Sequence, residues 1–133
     1  MIPAFDDYIE IANLLARYCI TLDEDDIDGW VTLFVPDGSF EVYGHTFRGH
    51  EGLRKMTASA PCGLHLGGHP VIEMIDGDNA RTRQNLLFVD RTNGDSRSAV
   101  YTDDLRRTAE GWRFHKRVCR FIVASGLSDR PDE

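Results

Sequence analysis

Two histidines lie four residues apart in the segment GLHLGGHP, which spans residues 63–70. Imidazole groups bind metal ions or transfer protons near neutral pH, so the pair could belong to a metal site or to an acid–base site. In a regular strand His65 and His69 would share one face but lie roughly 13 Å apart, which is too far to bind one ion. A shared metal site is therefore not expected.

The apolar pattern after these histidines bears on which way each of them points. Strict alternation along one strand would place His65 on the face opposite Ile72 and Met74. A β-bulge at Gly67-Gly68 would shift the alternation by one residue. His65 would then face inward with Ile72 and Met74, and His69 would face outward. The sequence thus predicts a bulge at the two glycines, with His65 as the pocket residue.

Length and charge limit the possible functions. The 133 residues are 41% hydrophobic, which suffices for one core but not for two, so residues 1–133 are predicted to form a single domain. A formal net charge of −7 and a pI near 5.1 repel nucleic acids and anionic membranes. The chain has no 18-residue apolar segment and does not begin like a signal peptide. We therefore expect a soluble, cytoplasmic protein that binds neither nucleic acid nor membrane.

The cysteines give no sign of a disulfide framework or a zinc site. They are odd in number, far apart in the sequence, and form no Cys-x-x-Cys pair: Cys19, Cys62 and Cys119. Buried thiols are the simplest interpretation. Together with the histidine spacing, this pattern predicts a protein without a structural or catalytic metal.

Periodicity predicts helices in the first half of the chain. From Phe5 to Leu22 apolar residues recur at three- and four-residue steps, which is typical of an amphipathic helix over about Asp6–Leu22. The segment DEDDIDGWVTLFVPDG has an acidic start, an apolar stripe and a Pro-Asp-Gly stop, and is predicted to be a second helix. HEGLRKMTASA is predicted to be the third.

Strands are predicted around and after the third helix. SFEVYGHTFRGH should form a short hairpin around Gly44. Turn signals of the Asn/Asp/Gly type then separate four further strands, in HLGGHPVIEMI, ARTRQNLLFVD, SAVYTDDLRR and WRFHKRVCRFIV. Helices followed by a meander of strands indicate an α+β fold with helices on one sheet face. The tail, residues 124–133, is predicted to be loose.

This order of elements and four segments of sequence resemble the SnoaL-like branch of the nuclear transport factor 2-like superfamily. The segments are LLARYCITLDEDDIDGWVTLFVPDGSFEVYG, FRGHEGLRKM, VIEMIDGDNARTR and YTDDLRRTAEGWRF. The resemblance covers about residues 8–123. It implies a cone-shaped α+β fold, in which a curved, mostly antiparallel sheet wraps three N-terminal helices around a pocket. It also implies a homo-oligomer, dimer or trimer, and apolar residues on both strand faces favour the same state.

The resemblance extends to a group of lyases: scytalone dehydratase, hexachlorocyclohexane dehydrochlorinase and bile-acid 7α-dehydratase. Their aspartate after the first helix matches Asp23, and their histidine at the start of the first long strand matches His65. The tyrosine of the bile-acid enzyme matches Tyr18. Other pocket positions of the group depart from the pattern, because the second histidine of scytalone dehydratase falls near Ser98 here. The resemblance thus implies the pair of Asp23 and His65 and leaves the substrate open.

Elementary chemistry is consistent with these roles. A neutral imidazole at His65 can take a proton from a carbon beside a carbonyl if Asp23 holds its other nitrogen. The Tyr18 hydroxyl could donate a hydrogen bond to the developing enolate or to the departing hydroxyl. Five residues along a helix turn about 140°, so Tyr18 and Asp23 share a face only if the helix unwinds near Leu22. The acidic loop that follows makes such unwinding plausible.

Each of these residues also has a purely structural interpretation. Asp23 could cap the start of the second helix or be solvated there, although Asp25 and Asp26 are better placed for capping. The ring of Tyr18 could simply pack in the core. The remaining histidines are predicted to be exposed and are assigned no chemistry: His45, His50 and His115.

Five further residues are predicted to surround the substrate: Trp30, Gln84, Leu86, Phe88 and Asp103. Gln84, Leu86 and Phe88 alternate on one strand and, with Trp30, would line an apolar pocket that holds few polar groups. Asp103 shares a strand face with apolar residues, and a related isomerase has an oxyanion-hole acid at a comparable position. The structural alternative for Asp103 is a salt bridge to Arg81, Arg83 or Arg117.

The function predicted from these residues is a cofactor-independent lyase, most simply a dehydratase, with a small and moderately apolar molecule as its substrate. No phosphate-binding loop, dinucleotide fingerprint or nucleophilic serine motif occurs in the sequence. Two alternatives stay open. One is an isomerase or cyclase that uses the same proton-transfer pair, and the other is a ligand-binding or assembly module without catalysis.

Overall fold

The computed structural model describes residues 1–132 and contains three helices and eight strands in that range. The helices are α1 (Phe5–Asp23), α2 (Ile27–Val31) and α3 (Gly49–Ser59). The strands are β1 (Phe34–Val42), β2 (His45–Arg48), β3 (Gly63–Gly67), β4 (Val71–Met74), β5 (Asn79–Asp90), β6 (Ser96–Thr108), β7 (Gly111–Val123) and β8 (Gly126–Ser128). No helix in residues 1–132 is long and apolar enough to cross a bilayer.

All eight strands belong to one sheet, in the order β2-β1-β7-β6-β5-β3. Strand β4 also pairs with β5, and β8 also pairs with β7. Every pairing is antiparallel except that of β1 with β7. The helices pack on one face of this sheet, so the predicted α+β class and mostly antiparallel sheet are confirmed.

Helix α1 follows the prediction to within one residue at each end, because its apolar stripe is buried against the sheet. The buried residues of this helix are Ile11, Leu14, Leu15, Tyr18 and Cys19. The expected unwinding near Leu22 is wrong, since the helix stays regular through Asp23. Tyr18 and Asp23 therefore leave the helix in different directions.

Helix α2 is shorter than predicted. Asp26 caps its start, because its carboxylate accepts a hydrogen bond from the Gly29 amide at 2.9 Å. The segment Pro36-Asp37-Gly38 was expected to stop this helix but lies inside β1. There the β1–β7 pairing shifts register between Phe34 and Ser39, and this irregularity accommodates a proline that has no amide hydrogen to donate. The hairpin of β1 and β2 and the third helix agree with the predictions.

The Gly67-Gly68 pair shifts the alternation of inward and outward side chains by one residue, as predicted. The predicted single strand is broken there into β3 and β4. Both segments pair with β5, with Gly67 opposite Leu86 and Val71 opposite Arg83, so one extra residue lies between them. His65 consequently lies opposite the buried Phe88, on the inner face of the sheet. The inward orientation predicted for His65 is confirmed, and this shift is its cause.

His69 and the C-terminal tail both make contacts with the rest of the domain. His69 is exposed, but its ring lies beside Tyr8 of α1, with ring centroids 5.8 Å apart. The tail is not wholly loose, because Gly126–Ser128 pairs with β7 and Ser128 is buried. The sequence of this short strand lacks the alternating apolar pattern from which strands are predicted.

The outer face of β3 and β5 exposes three leucines. Leu64, Leu66 and Leu87 are 50%, 58% and 41% exposed, and Leu66 lies directly opposite Leu87. Contiguous exposed apolar surface on a sheet is typical of protein–protein contact sites. This patch is where we expect the predicted homo-oligomer to form.

The variant Leu66→Glu should therefore weaken self-association by placing a charge in the buried centre of such an interface. Light scattering should return a multiple of the 15.0 kDa chain mass for the wild type and a smaller mass for the variant. A wild-type mass of 15.0 kDa at micromolar concentration would refute the prediction.

Candidate active site

A cavity of about 590 Å³ lies between the sheet and the helices. Its wall is mainly apolar and includes Phe40, Met56, Leu86, Phe88 and Phe121. Polar side chains reach this wall at scattered points, from α1 and the loop that follows it, the β1–β2 hairpin, α3, β3 and β6. Such a cavity is suited to a small apolar molecule that is oriented by a few polar contacts.

Asp23 and His65 form a short polar contact beside the cavity, whose wall includes His65. The Nδ1 atom of His65 lies 2.7 Å from Oδ1 of Asp23, and the backbone amide of His65 donates to both carboxylate oxygens at 3.0 Å. A carboxylate can only accept hydrogen bonds, so Nδ1 carries the hydrogen and Nε2 keeps a free lone pair. The side chains of His65 and Asp23 are 14% and 22% exposed. Asp23 thus fixes both the position and the tautomer of the imidazole.

The surroundings of His65 keep its ring neutral. Burial lowers the pKa of His65 below its usual value near 6.5, and Asp23 opposes this shift through its hydrogen bond and its charge. The guanidinium of Arg117 lowers the pKa of His65 further. The face of the ring packs on Phe88, with centroids 4.8 Å apart. The imidazole of His65 is therefore neutral at pH 7.

Tyr18 lines the same cavity from α1, and Tyr101 does so from β6. Their rings pack edge to face with centroids 5.4 Å apart. Burial raises the pKa of both hydroxyl groups, so both stay protonated at neutral pH. The two tyrosines can act as hydrogen-bond donors in an otherwise apolar wall.

A buried cation lies directly beneath these tyrosines. The guanidinium carbon of Arg117 is 4.2 Å from the centre of the Tyr18 ring and 3.7 Å from that of Tyr101. Its Nε lies 3.0 Å from Oδ1 of Asp103, and its Nη2 donates to Oε1 of Gln84 at 2.8 Å. Both members of the ion pair are completely buried. The pair therefore fixes the aromatic groups that form the cavity floor.

Asp103 is thus part of the ion pair, which is the structural alternative foreseen for it, with Arg117 as the partner. Burial raises its pKa to about 6, although Arg117 and a hydrogen bond from Thr82 lower it. The Thr82 hydroxyl donates to Oδ2 of Asp103 at 2.7 Å. Because Asp103 is completely buried, with its oxygens facing Arg117 and Thr82, it does not reach the described cavity wall.

Three residues predicted to line the pocket lie below it instead. Trp30, Gln84 and Asp103 are buried in the core and are not part of the described cavity wall, whereas Leu86 and Phe88 are. Gln84 faces inward as expected, but it bonds with Arg117 and with the Gly68 carbonyl. Trp30 packs against Tyr18 at a centroid distance of 5.8 Å.

Sequence reasoning missed several cavity residues. Tyr101 lies two residues before Asp103 on β6, so the alternation of side chains could have predicted that it faces the cavity. Arg97 and His45 line the cavity near its opening, but before strand register is known they look like surface residues. Of the other histidines, His50 is half-buried and lies 3.0 Å from the Phe34 carbonyl, and His115 is half-buried, so the expected exposure of both is wrong.

Comparison with known proteins identifies the fold and the family. A family model described as a SnoaL-like domain matches residues 3–118. A solved structure of a protein of unknown function from Mycobacterium tuberculosis is 31% identical, with a TM-score of 0.82, and the alignment covers 91% of this chain and 75% of that one.

Two solved structures with named activities are more distant. A hexachlorocyclohexane dehydrochlorinase from Novosphingobium barchaimii is 20% identical, with a TM-score of 0.77 and coverage of 89% of this chain and 88% of that one. A candidate scytalone dehydratase from Novosphingobium aromaticivorans is 17% identical, with a TM-score of 0.79 and coverage of 96% and 92%. At these identities the likeness shows the fold alone.

The buried ion pair generates a stability prediction. The variant Arg117→Met should lose about 3–5 kcal/mol in the free energy of unfolding, because it leaves the Asp103 charge without a partner. Replacing both groups, as in Arg117→Met/Asp103→Leu, should recover much of this loss. Denaturant unfolding curves of the two variants and the wild type measure both effects.

The loss caused by Arg117→Met should also depend on pH. A buried acid with a raised pKa favours folding most below its unfolded pKa near 3.8, and this contribution is lost as the pH rises through the folded value. Without Arg117 the folded pKa of Asp103 rises further, so the loss should be larger at pH 8 than at pH 5. An equal loss at both pH values would show that packing, not charge, is what Arg117 contributes.

Proposed function

Because the chain belongs to the SnoaL-like family, we propose that it is a cofactor-independent lyase that eliminates water, or a comparable leaving group, from a small and largely apolar molecule. The observation that carries this proposal is the hydrogen bond between Asp23 and His65 at the wall of the cavity. A neutral imidazole, oriented by a carboxylate and half-shielded from water, is a suitable general base.

The first half of the proposed reaction is proton abstraction. Nε2 of His65 takes a proton from a carbon beside a carbonyl or another electron-withdrawing group, and the electrons of the broken C–H bond form the new double bond or an enolate. The imidazolium that results is stabilised by Asp23, which already accepts the Nδ1 hydrogen. The low polarity of the wall strengthens this attraction.

The second half is loss of the leaving group. The C–O bond breaks as the double bond is completed, and the departing hydroxide takes a proton from the imidazolium and leaves as water. Tyr18 and Tyr101 support this step as donors to the enolate oxygen or to the departing oxygen, because their hydroxyl groups stay protonated. The histidine is neutral again after the cycle, and no other reactant is consumed.

The substrate class follows from the cavity. A volume of about 590 Å³ suits a molecule with one to three rings, and a wall rich in aromatic and aliphatic groups favours an apolar body. The named activities of the two distant structures, dehydrochlorination and scytalone dehydration, are both eliminations, which supports the same reaction type here. An isomerase would use the same base on a substrate that has no leaving group.

The proposal predicts how variants of the pair behave. A panel of cyclic and aromatic β-hydroxy ketones serves as the probe, since dehydration produces a conjugated product that is followed by its absorbance. Asp23→Asn and His65→Ala should each lower kcat/KM by about 10²–10⁴-fold, and the double variant should lose little more, because the two residues act as one unit. Thermal unfolding should change little in the single variants.

The exposed His69 gives a matched control for this experiment. His69→Ala removes an imidazole four residues away that is not part of the described cavity wall, and it should keep wild-type activity. If Asp23→Asn and His65→Ala fold normally and still convert the probe at wild-type rates, the lyase proposal is wrong. Binding of ligands without any turnover would favour the alternative of a ligand-binding module.

A further inference from the structure

An arginine without an acidic partner lines the opening of the cavity. Arg97 of β6 is half-buried, and its Nη1 donates to the Tyr43 hydroxyl at 2.7 Å. Within residues 1–132 no carboxylate lies within ion-pair distance of it. Asp25, the one acidic residue on the described cavity wall, is paired with Arg91 at 3.0 Å. The positive charge of Arg97 is therefore uncompensated in an otherwise acidic protein.

Tyr43 holds this arginine from a position that is unusual for a tyrosine. Tyr43 and Gly44 form the two-residue turn between β1 and β2, with φ values of 57° and 70°. Such turns favour asparagine or glycine, and a bulky residue with positive φ is under strain. The ring of Tyr43 packs on Phe121, with centroids 5.3 Å apart, and this contact offsets the strain. The turn thus presents a hydroxyl group that fixes the guanidinium at the cavity.

The strand register places Arg97 in line with His65, the proposed base, two strands away. His65 lies opposite Phe88 in the β3–β5 pair, and Phe88 lies opposite Arg97 in the β5–β6 pair. Directly opposed residues point to the same sheet face, so the three side chains form one row across the inner face. Neighbouring strands are about 4.8 Å apart, so the backbones of His65 and Arg97 are separated by roughly 10 Å. An aromatic ring, that of Phe88, lies between the base and the cation.

We propose that Arg97 binds a carboxylate of the substrate, and that the apolar body of the same molecule lies over Phe88 with its reacting carbon at His65. This inference rests on the proposed function, whose substrate class it narrows to small ring-containing carboxylic acids. The planar guanidinium matches a carboxylate through two parallel hydrogen bonds. The Tyr43 hydroxyl holds only one of the arginine nitrogens, so other N–H groups are available to a ligand.

A singly charged carboxylate fits this site better than a phosphate. Arg97 is the only lysine or arginine on the described cavity wall, and the rest of that wall is mainly apolar. A dianion bound to one cation would keep a net negative charge beside a mainly apolar wall, which is unfavourable. The approximate 10 Å spacing also requires that the acid and the reacting carbon lie on opposite sides of a ring-sized body.

The test compares an acid with its uncharged amide. Calorimetric titration with 2-naphthoate and 2-naphthamide measures binding without requiring turnover. The wild type should bind the acid more tightly than the amide, and Arg97→Gln should weaken naphthoate binding about 10–100-fold while changing naphthamide binding little. Tyr43→Phe, which keeps the ring on Phe121, should cause a smaller loss. It tests the same site if Arg97→Gln fails to fold.

Arg83→Gln is the matched control, because it removes an equal charge from an exposed position on β5 that is not part of the described cavity wall. It should bind naphthoate like the wild type. Equal affinity of the wild type for acid and amide, no saturable binding of naphthoate, or an equal loss in Arg83→Gln would overturn the proposal.

Failure of the proposed function can be recognised separately. His65→Ala should keep its preference for naphthoate, because the base is not needed for carboxylate binding. If that preference depends on Arg97 but no β-hydroxy ketone or β-hydroxy keto acid is dehydrated, the carboxylate site stands and the lyase proposal fails. If neutral ketones are dehydrated as efficiently as their acid analogues and Arg97→Gln has no effect on either, the lyase proposal stands and the carboxylate site is wrong.

Discussion

The contact between the last residue of α1 and the middle of β3 is the constraint on which the proposed chemistry depends. Asp23 accepts hydrogen bonds from both the ring and the backbone amide of His65, so one carboxylate ties helix to strand and orients the imidazole. Because α1 stays helical through its last residue, Asp23 points away from the cavity wall. It reaches His65 from the side, while Tyr18, about 140° further round the helix, reaches the cavity floor.

The floor of the cavity depends on a second buried interaction. Arg117 packs its guanidinium on the rings of Tyr18 and Tyr101 and forms an ion pair with Asp103. A cation at this position acts on three side chains: it opposes the rise in pKa of Tyr18 and Tyr101 and lowers the pKa of His65. Burial, helped by the charge of Arg117, keeps the His65 imidazole neutral, and the packing of Arg117 on both rings holds the two tyrosines close together. Arg117 is paired with Asp103 in the core, whereas Arg97 at the opening of the cavity contacts only the Tyr43 hydroxyl. The charge of Arg97 is therefore available to a ligand.

Sequence reasoning could place the helices, the glycine-induced parity shift and the pair of Asp23 and His65, because each depends on local pattern or on a family motif. It could not find Arg97, whose position over the cavity follows from the register of three strands that are distant in sequence. The role of Gln84 could not be predicted for the same reason. Alternation places it on the inner face, but only the register of distant strands shows that it accepts a hydrogen bond from Arg117. The end of α2 was predicted wrongly because Pro-Asp-Gly is typical of a turn. Here the same residues lie at an irregularity in the parallel pairing of β1 with β7.

The proposed mechanism requires that His65 presents the lone pair of a neutral Nε2 to the cavity at pH 7, with Nδ1–H bound to Asp23. The most direct measurement is ¹⁵N NMR of the histidine side chains over a range of pH, with His65→Gln used to assign the signals. The account predicts the Nδ1–H tautomer and a midpoint below 6.5 for His65, and a still lower midpoint in Asp23→Asn, because both effects of Asp23 raise this pKa. A protonated Nε2 at pH 7, or a midpoint that rises in Asp23→Asn, would contradict it.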